Sequence, residues 1–148
     1  MRATFRLLSE HLLPALVIGV VCAVVFNNWQ LVGVALLTGW LIDADHLVDF
    51  SYFLWRRKIA NLDFTTVTSG SYFKSNGKVI VPLHSWELVV FWVIYWLSLG
   101  EIGIAITGAL AWIVHLVHDQ ISYRVVPLGY FALYRAYRNF TQAGFCRG

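Results

Sequence analysis

Charge is what this sequence lacks most. Asp, Glu, Lys and Arg make up 13% of its 148 residues, whereas a soluble domain carries about 25%. So few charged side chains do not cover a water-facing globule, and the expected solvent is lipid. Cysteine is nearly absent. Cys22 lies in an apolar run and Cys146 in the tail, so no disulfide framework is expected. A cleavage site is missing too. Arg2 and Arg6 precede an apolar run, as in a signal peptide, but only Asn27-Asn28-Trp29 follows it, so the run is expected to stay as a first span. There is no internal repeat and no low-complexity segment. The net charge of +3 does not imply nucleic acid, because the basic residues flank apolar runs, which is the pattern of membrane topology.

What is present is apolar. Hydrophobic residues make up 59% of the chain, and the mean hydropathy is +0.66. Four long apolar stretches without period-2 alternation predict helices rather than strands. The expected fold is an all-α membrane protein. It is a four-transmembrane-helix bundle in one domain, residues 1–148, with spans at about 11–28, 29–49, 83–99 and 102–121. The links Asn27-Asn28 and Gly100-Glu101 hold no Lys or Arg. Arg2, Arg6, Arg56, Arg57, Lys58, Lys74, Lys78, Arg124, Arg135, Arg138 and Arg147 then all fall on one side. The positive-inside rule makes that side cytoplasmic, with both termini there, in a multi-pass plasma (inner) membrane protein. Three or five spans would scatter these charges.

The cytoplasmic loop 56–82 contains Asn76-Gly77 between apolar runs, which reads as a hairpin or as a flexible loop with one turn. The tail 123–140 mixes Tyr, Phe and Arg, and predicts a short interfacial helix after Pro127 that anchors the chain in the headgroup layer.

Ionisable groups inside spans cost about 2.5–3.5 kcal/mol each on insertion scales. This chain gathers them at span ends: Glu10-His11, Asp43-Ala44-Asp45-His46 with Asp49, His84-Ser85-Trp86-Glu87, and His115-Leu116-Val117-His118-Asp119. The topology drawn from Lys and Arg alone puts all four clusters at the cytoplasmic end, and they include every histidine in the chain. Helical spacing sets His115 and Asp119 on one face, with His118 turned away by some 60–100°. His84 neighbours Glu87, and Asp43 neighbours His46. Asp49 and Glu87 could instead pair with Arg56, Arg57 or Lys58, and Glu10 could favour the helix dipole. The set as a whole is harder to dismiss. Bundle interiors build metal sites from His and carboxylates on facing helices, and such donors suit zinc, iron or manganese.

In order along the chain stand His11-Leu12, Leu41-Ile42-Asp43-Ala44-Asp45-His46, His84-Ser85, His115-Leu116-Val117-His118-Asp119 and Val126-Pro127-Leu128. This ordered set resembles the membrane-bound metal-dependent hydrolase family of small inner-membrane proteins, itself distantly similar to zinc-dependent phospholipase C. Ile42 stands where that family has proline, Val79 to Leu83 replace the first half of its His-Arg-Gly-x-x-His-Ser form, and His118 is an addition. The resemblance implies a metal-dependent hydrolase acting on a phosphoester or lipid-like, amphipathic substrate. It implies His11, Asp45, His46, His84, His115 and Asp119 as ligands, with Asp43 or Glu87 as a further ligand or the base. Zinc is the first choice of ion, with manganese and iron behind it. Two rival expectations stand beside this one. The chain could be a non-catalytic subunit that uses its polar cluster to bind a partner in a membrane complex. It could also be a transporter or proton-relay component, which predicts polar residues continuing to the outer face.

Overall fold

The computed structural model describes residues 8–57 and 77–145. The described chain is helical, with no strand longer than a single bridge. A π-helical turn, Leu8–Leu12, leads into α1 (Leu13–Val25), followed by α2 (Gln30–Gly39), a 3-10 turn (Leu41–Asp45) and α3 (His46–Arg57). After the undescribed segment come α4 (Trp86–Ser98), α5 (Ile102–Ser122), α6 (Ala132–Tyr137) and a last 3-10 turn, Gln142–Gly144. Helix α5 is the axis: α1, α2 and α4 all pack on it, and α1 also packs along α2.

Small residues let these helices approach closely, as in membrane bundles where apolar burial drives association little. A Cβ on Gly19 would lie 2.8 Å from the Val32 backbone, and one on Gly39 would lie 2.8 Å from Ala15 Cβ and 3.2 Å from Ala111 Cβ. Trp92 of α4 occupies the notch that Gly108 leaves in α5. The short links end their helices with a left-handed residue, Asn27 at φ 50° and Gly100 at φ 80°. At each, the next amide reaches back five residues, Asn28 to Ala23 and Glu101 to Trp96, both at 2.9 Å. These are Schellman closures, which reverse the chain within two residues.

The expectation of four spans is corrected. Helix α5, at 21 residues, is the one described helix long and apolar enough to cross a membrane by itself. Gln30–Gly39 and Leu41–Trp55 qualify only jointly, as a pair bent by 40°. Helices α1 and α4 have 13 residues each, about 20 Å of rise against a hydrocarbon core of about 30 Å. The reason is local. The polar motifs expected to lengthen the helices adopt other geometries: the π turn around Glu10-His11, the 3-10 turn around Asp43–Asp45, and an extended Ser85 at φ −142°, ψ 127°. The outer faces are nonetheless apolar, with Val17, Val21 and Val24 of α1 and Val90, Phe91 and Ile94 of α4 all exposed.

Residues 58–76, including the first arm of the expected hairpin, lie outside the described residues. The second arm pairs with the tail. Lys78 bridges Thr141 in antiparallel sense, the Val79 amide donates to the Phe140 carbonyl at 2.9 Å, and the Gln142 amide to the Gly77 carbonyl at 3.0 Å. Val79, Val81, Val125, Tyr130 and Phe145 are buried together with Leu116 of α5. The tail thus forms the expected short helix, α6, and also packs as a platform under the segment that delivers His84.

Candidate metal centre

The four helices of the bundle alternate in direction, so one end collects the start of α1, the end of α2, the start of α4 and the end of α5. The ionisable groups meet there. His115 Nε2 lies 3.4 Å from Asp43 Oδ1 and 3.3 Å from Asp119 Oδ2. His84 Nε2 lies 3.6 Å from Asp43 Oδ1, 3.4 Å from Asp119 Oδ2 and 3.1 Å from His115 Nε2. His84, His115 and Asp119 are buried, whereas the Asp43 side chain keeps 28% of its exposure. One edge of the group is therefore open.

The far ring nitrogens define what the near ones are. His115 Nδ1 faces the Gly39 carbonyl at 2.9 Å, an acceptor only, so Nδ1 carries the proton and donates it. His84 Nδ1 lies 3.0 Å from both oxygens of Asp45 and donates to that carboxylate. Whenever either ring is neutral, its Nε2 is the nitrogen that offers a lone pair to the cluster. Two such nitrogens facing each other at 3.1 Å, with two carboxylate oxygens around them, are satisfied by a proton on one of the rings or by a metal ion between them. Metal–ligand bonds of about 2.0–2.2 Å in a tetrahedron set neighbouring donors about 3.4 Å apart. The five separations above span 3.1–3.6 Å. Asp43, His84, His115 and Asp119 can therefore hold a metal ion, and the donor set fits zinc without selecting it over manganese or iron.

Each expected site residue has a definite place. Asp45 stands behind His84: it receives the ring Nδ1 and also the Leu83 and His84 amides, at 2.7 and 3.2 Å, and so fixes the tautomer and aim of that imidazole. His46 stands at the open edge with its side chain 32% exposed, Nε2 3.6 Å from Asp43 Oδ1. His11, delivered by the π turn, is buried against Asp119 Oδ1 at 3.4 Å. Glu87 is not in the cluster. Its Oε2 accepts from the Ser85 hydroxyl at 2.6 Å and the Ala132 amide at 3.0 Å, and its Oε1 from the Leu133 amide at 3.1 Å. Both oxygens cap the start of α6, which replaces the expected role as ligand or base.

Two residues escaped the sequence reading. His118, set aside for its angle, lies with its Nδ1 3.5 Å from Asp119 Oδ1. Arg135, read as a headgroup anchor, is buried and donates to the Val81 and His84 carbonyls at 2.6 and 3.0 Å. Burial lowers its pKa, and the Asp45 and Glu87 carboxylates oppose that shift. Nothing in the local sequence separates Arg135 from the exposed Arg138 one turn on. The angle of His118 was the available signal, and it pointed to a second direction around Asp119. Comparison with known proteins adds no name to this arrangement: no family model, no curated protein and no solved structure matches the chain.

Proposed function

We propose that this protein is a metal-dependent hydrolase seated in the inner membrane, with its site at the cytoplasmic face and zinc as the first candidate ion. One observation carries the reading: two imidazole Nε2 atoms, each on a ring whose Nδ1 donates to a partner behind it, face each other at 3.1 Å beside two carboxylate oxygens. The ordered motifs shared in pattern with membrane-bound metal-dependent hydrolases support the reaction class. The apolar outer faces of α1 and α4, together with α5, support the membrane setting.

Bound in such a set, a divalent cation supplies Lewis acidity toward a scissile ester and toward water. The chain's own residues do the rest. Asp45 and the Gly39 carbonyl hold the two imidazoles in the ligating tautomer. Arg135 ties the carbonyls on either side of the Leu83 turn and keeps His84 on station. The substrate enters from the Asp43 edge, the exposed flank of the four donors. His46, exposed there and 3.6 Å from Asp43, is the group that takes the proton from the attacking water. A site at headgroup depth suits an amphipathic phosphoester.

The test is direct. Tag-free protein purified in detergent and loaded with Zn²⁺ is expected to retain stoichiometric metal and to hydrolyse members of a panel of phosphomonoesters, phosphodiesters and phospholipids, and His115→Ala to lose both. Wild type that holds no metal after loading defeats the proposal. Metal without hydrolysis of any ester favours the non-catalytic subunit.

A further inference from the structure

We infer that the centre takes two cations, the second held by His11, His118 and the Oδ1 of Asp119, so that Asp119 bridges the pair. This rests on reading Asp43, His84, His115 and Asp119 as the first site.

The inference starts from how Asp119 divides its oxygens. Oδ2 faces His84 and His115, at 3.4 and 3.3 Å. Oδ1 turns the other way, to His11 Nε2 at 3.4 Å and His118 Nδ1 at 3.5 Å. The three side chains come close enough together to hold an ion of their own. The helical offset that removes His118 from the first site is what places it on this second side of Asp119.

A second observation points the same way. Asp119 Oδ1, His118 Nδ1 and His11 Nδ1 are buried and have no hydrogen-bond partner. An unmatched buried polar group costs about 1–3 kcal/mol, and two of these three atoms lie against each other at a single point. His118 Nε2 lies 3.4 Å from the Ser122 hydroxyl, one turn further along α5, which leaves Nδ1 facing Asp119. The His11 and His118 rings meet edge to face with centroids 4.9 Å apart. A cavity of ≈ 50 Å³ lined by Glu10, His11, His115 and His118 adjoins them. It has room for the waters that would complete a three-ligand shell. A carboxylate that offers one oxygen to each of two histidine groups is the bridging element of two-ion hydrolytic and carboxylate-bundle centres.

The experiment counts ions rather than turnover. Tag-free full-length protein is dialysed against Zn²⁺ and analysed for metal. In parallel it is loaded with Mn²⁺ for electron paramagnetic resonance. Wild type is expected to hold two ions per chain and to show the spectrum of an exchange-coupled Mn²⁺ pair. His118→Ala is expected to hold one and to show uncoupled Mn²⁺. His11→Gln, on a different element, should do the same, so that a folding defect in either variant leaves the other to decide. One ion in wild type, unchanged in both variants, overturns the second site and leaves the first standing. No ion in wild type removes both sites at once.

Discussion

The two ends of the bundle are built on different physics. At the end with the short links, α1, α2 and α5 meet through shape: Gly103 lies against Phe26 and Leu31, Gly19 lies against the Val32 backbone, and Schellman turns reverse the chain. Glycines there make room for large apolar neighbours, and the helices are regular up to the links. At the other end regular helix gives out on three of the four helices of the bundle. A π turn, a 3-10 turn and an extended Ser85 bring His11, Asp43, Asp45 and His84 inward. Polar contacts with long sequence separation hold that end, such as His115 to Gly39 and Arg135 to Val81. Close packing at glycines sets the helices near one another, and the irregular turns aim the polar side chains inward. π-Helical turns are rare and occur frequently at functional sites, whereas 3-10 turns are common helix ends and connectors.

The contrast can be broken at several places. The largest effect is expected at the site: Asp119→Asn should abolish stoichiometric metal binding, read by elemental analysis, while the protein keeps its helical circular dichroism. Asp45→Asn should weaken metal affinity by about 10–100-fold, the usual effect of removing the partner behind a ligating histidine. Competition with a chelating dye measures it, and an unchanged affinity would remove Asp45 from its positioning role. At the other end Gly19→Ala should destabilise the fold by about 1–3 kcal/mol through overpacking, seen as a lower thermal midpoint in detergent. Its metal stoichiometry should stay at the wild-type value. The smallest effect is expected from Glu87→Gln, which loosens the start of α6 by about 0.5–2 kcal/mol, the range for a lost helix cap. Metal content should not change, and a loss of bound metal there would return Glu87 to the site.

Much of the cluster could be read from the chain alone, because its chemistry is scarce. In a sequence this poor in charge, a histidine or aspartate stands out against an apolar background, and the alternation of links with and without Lys or Arg puts the clusters at one end. The roles within the cluster could not be read so. Asp43 and Asp45 are two residues apart and alike in type, yet one belongs to the four-donor group and the other backs His84. The difference arises from the 3-10 turn, which no spacing rule for an α-helix anticipates. Glu87 is one turn from His84 by number, but the extended Ser85 ends that relation and the start of α6 takes up both its oxygens.

The sequence by itself therefore determined a helical fold with an apolar exterior and one polar end, since composition and periodicity act within a few residues of the chain. Only the tertiary structure decided helix lengths, the orientation of the two facing imidazoles, the inward turn of Arg135 and the double-sided use of Asp119. The last three depend on a partner 38 to 76 residues away or on the far side of the same carboxylate, and hydrogen-bond geometry at that range is settled by how elements pack, not by which residues are neighbours in sequence.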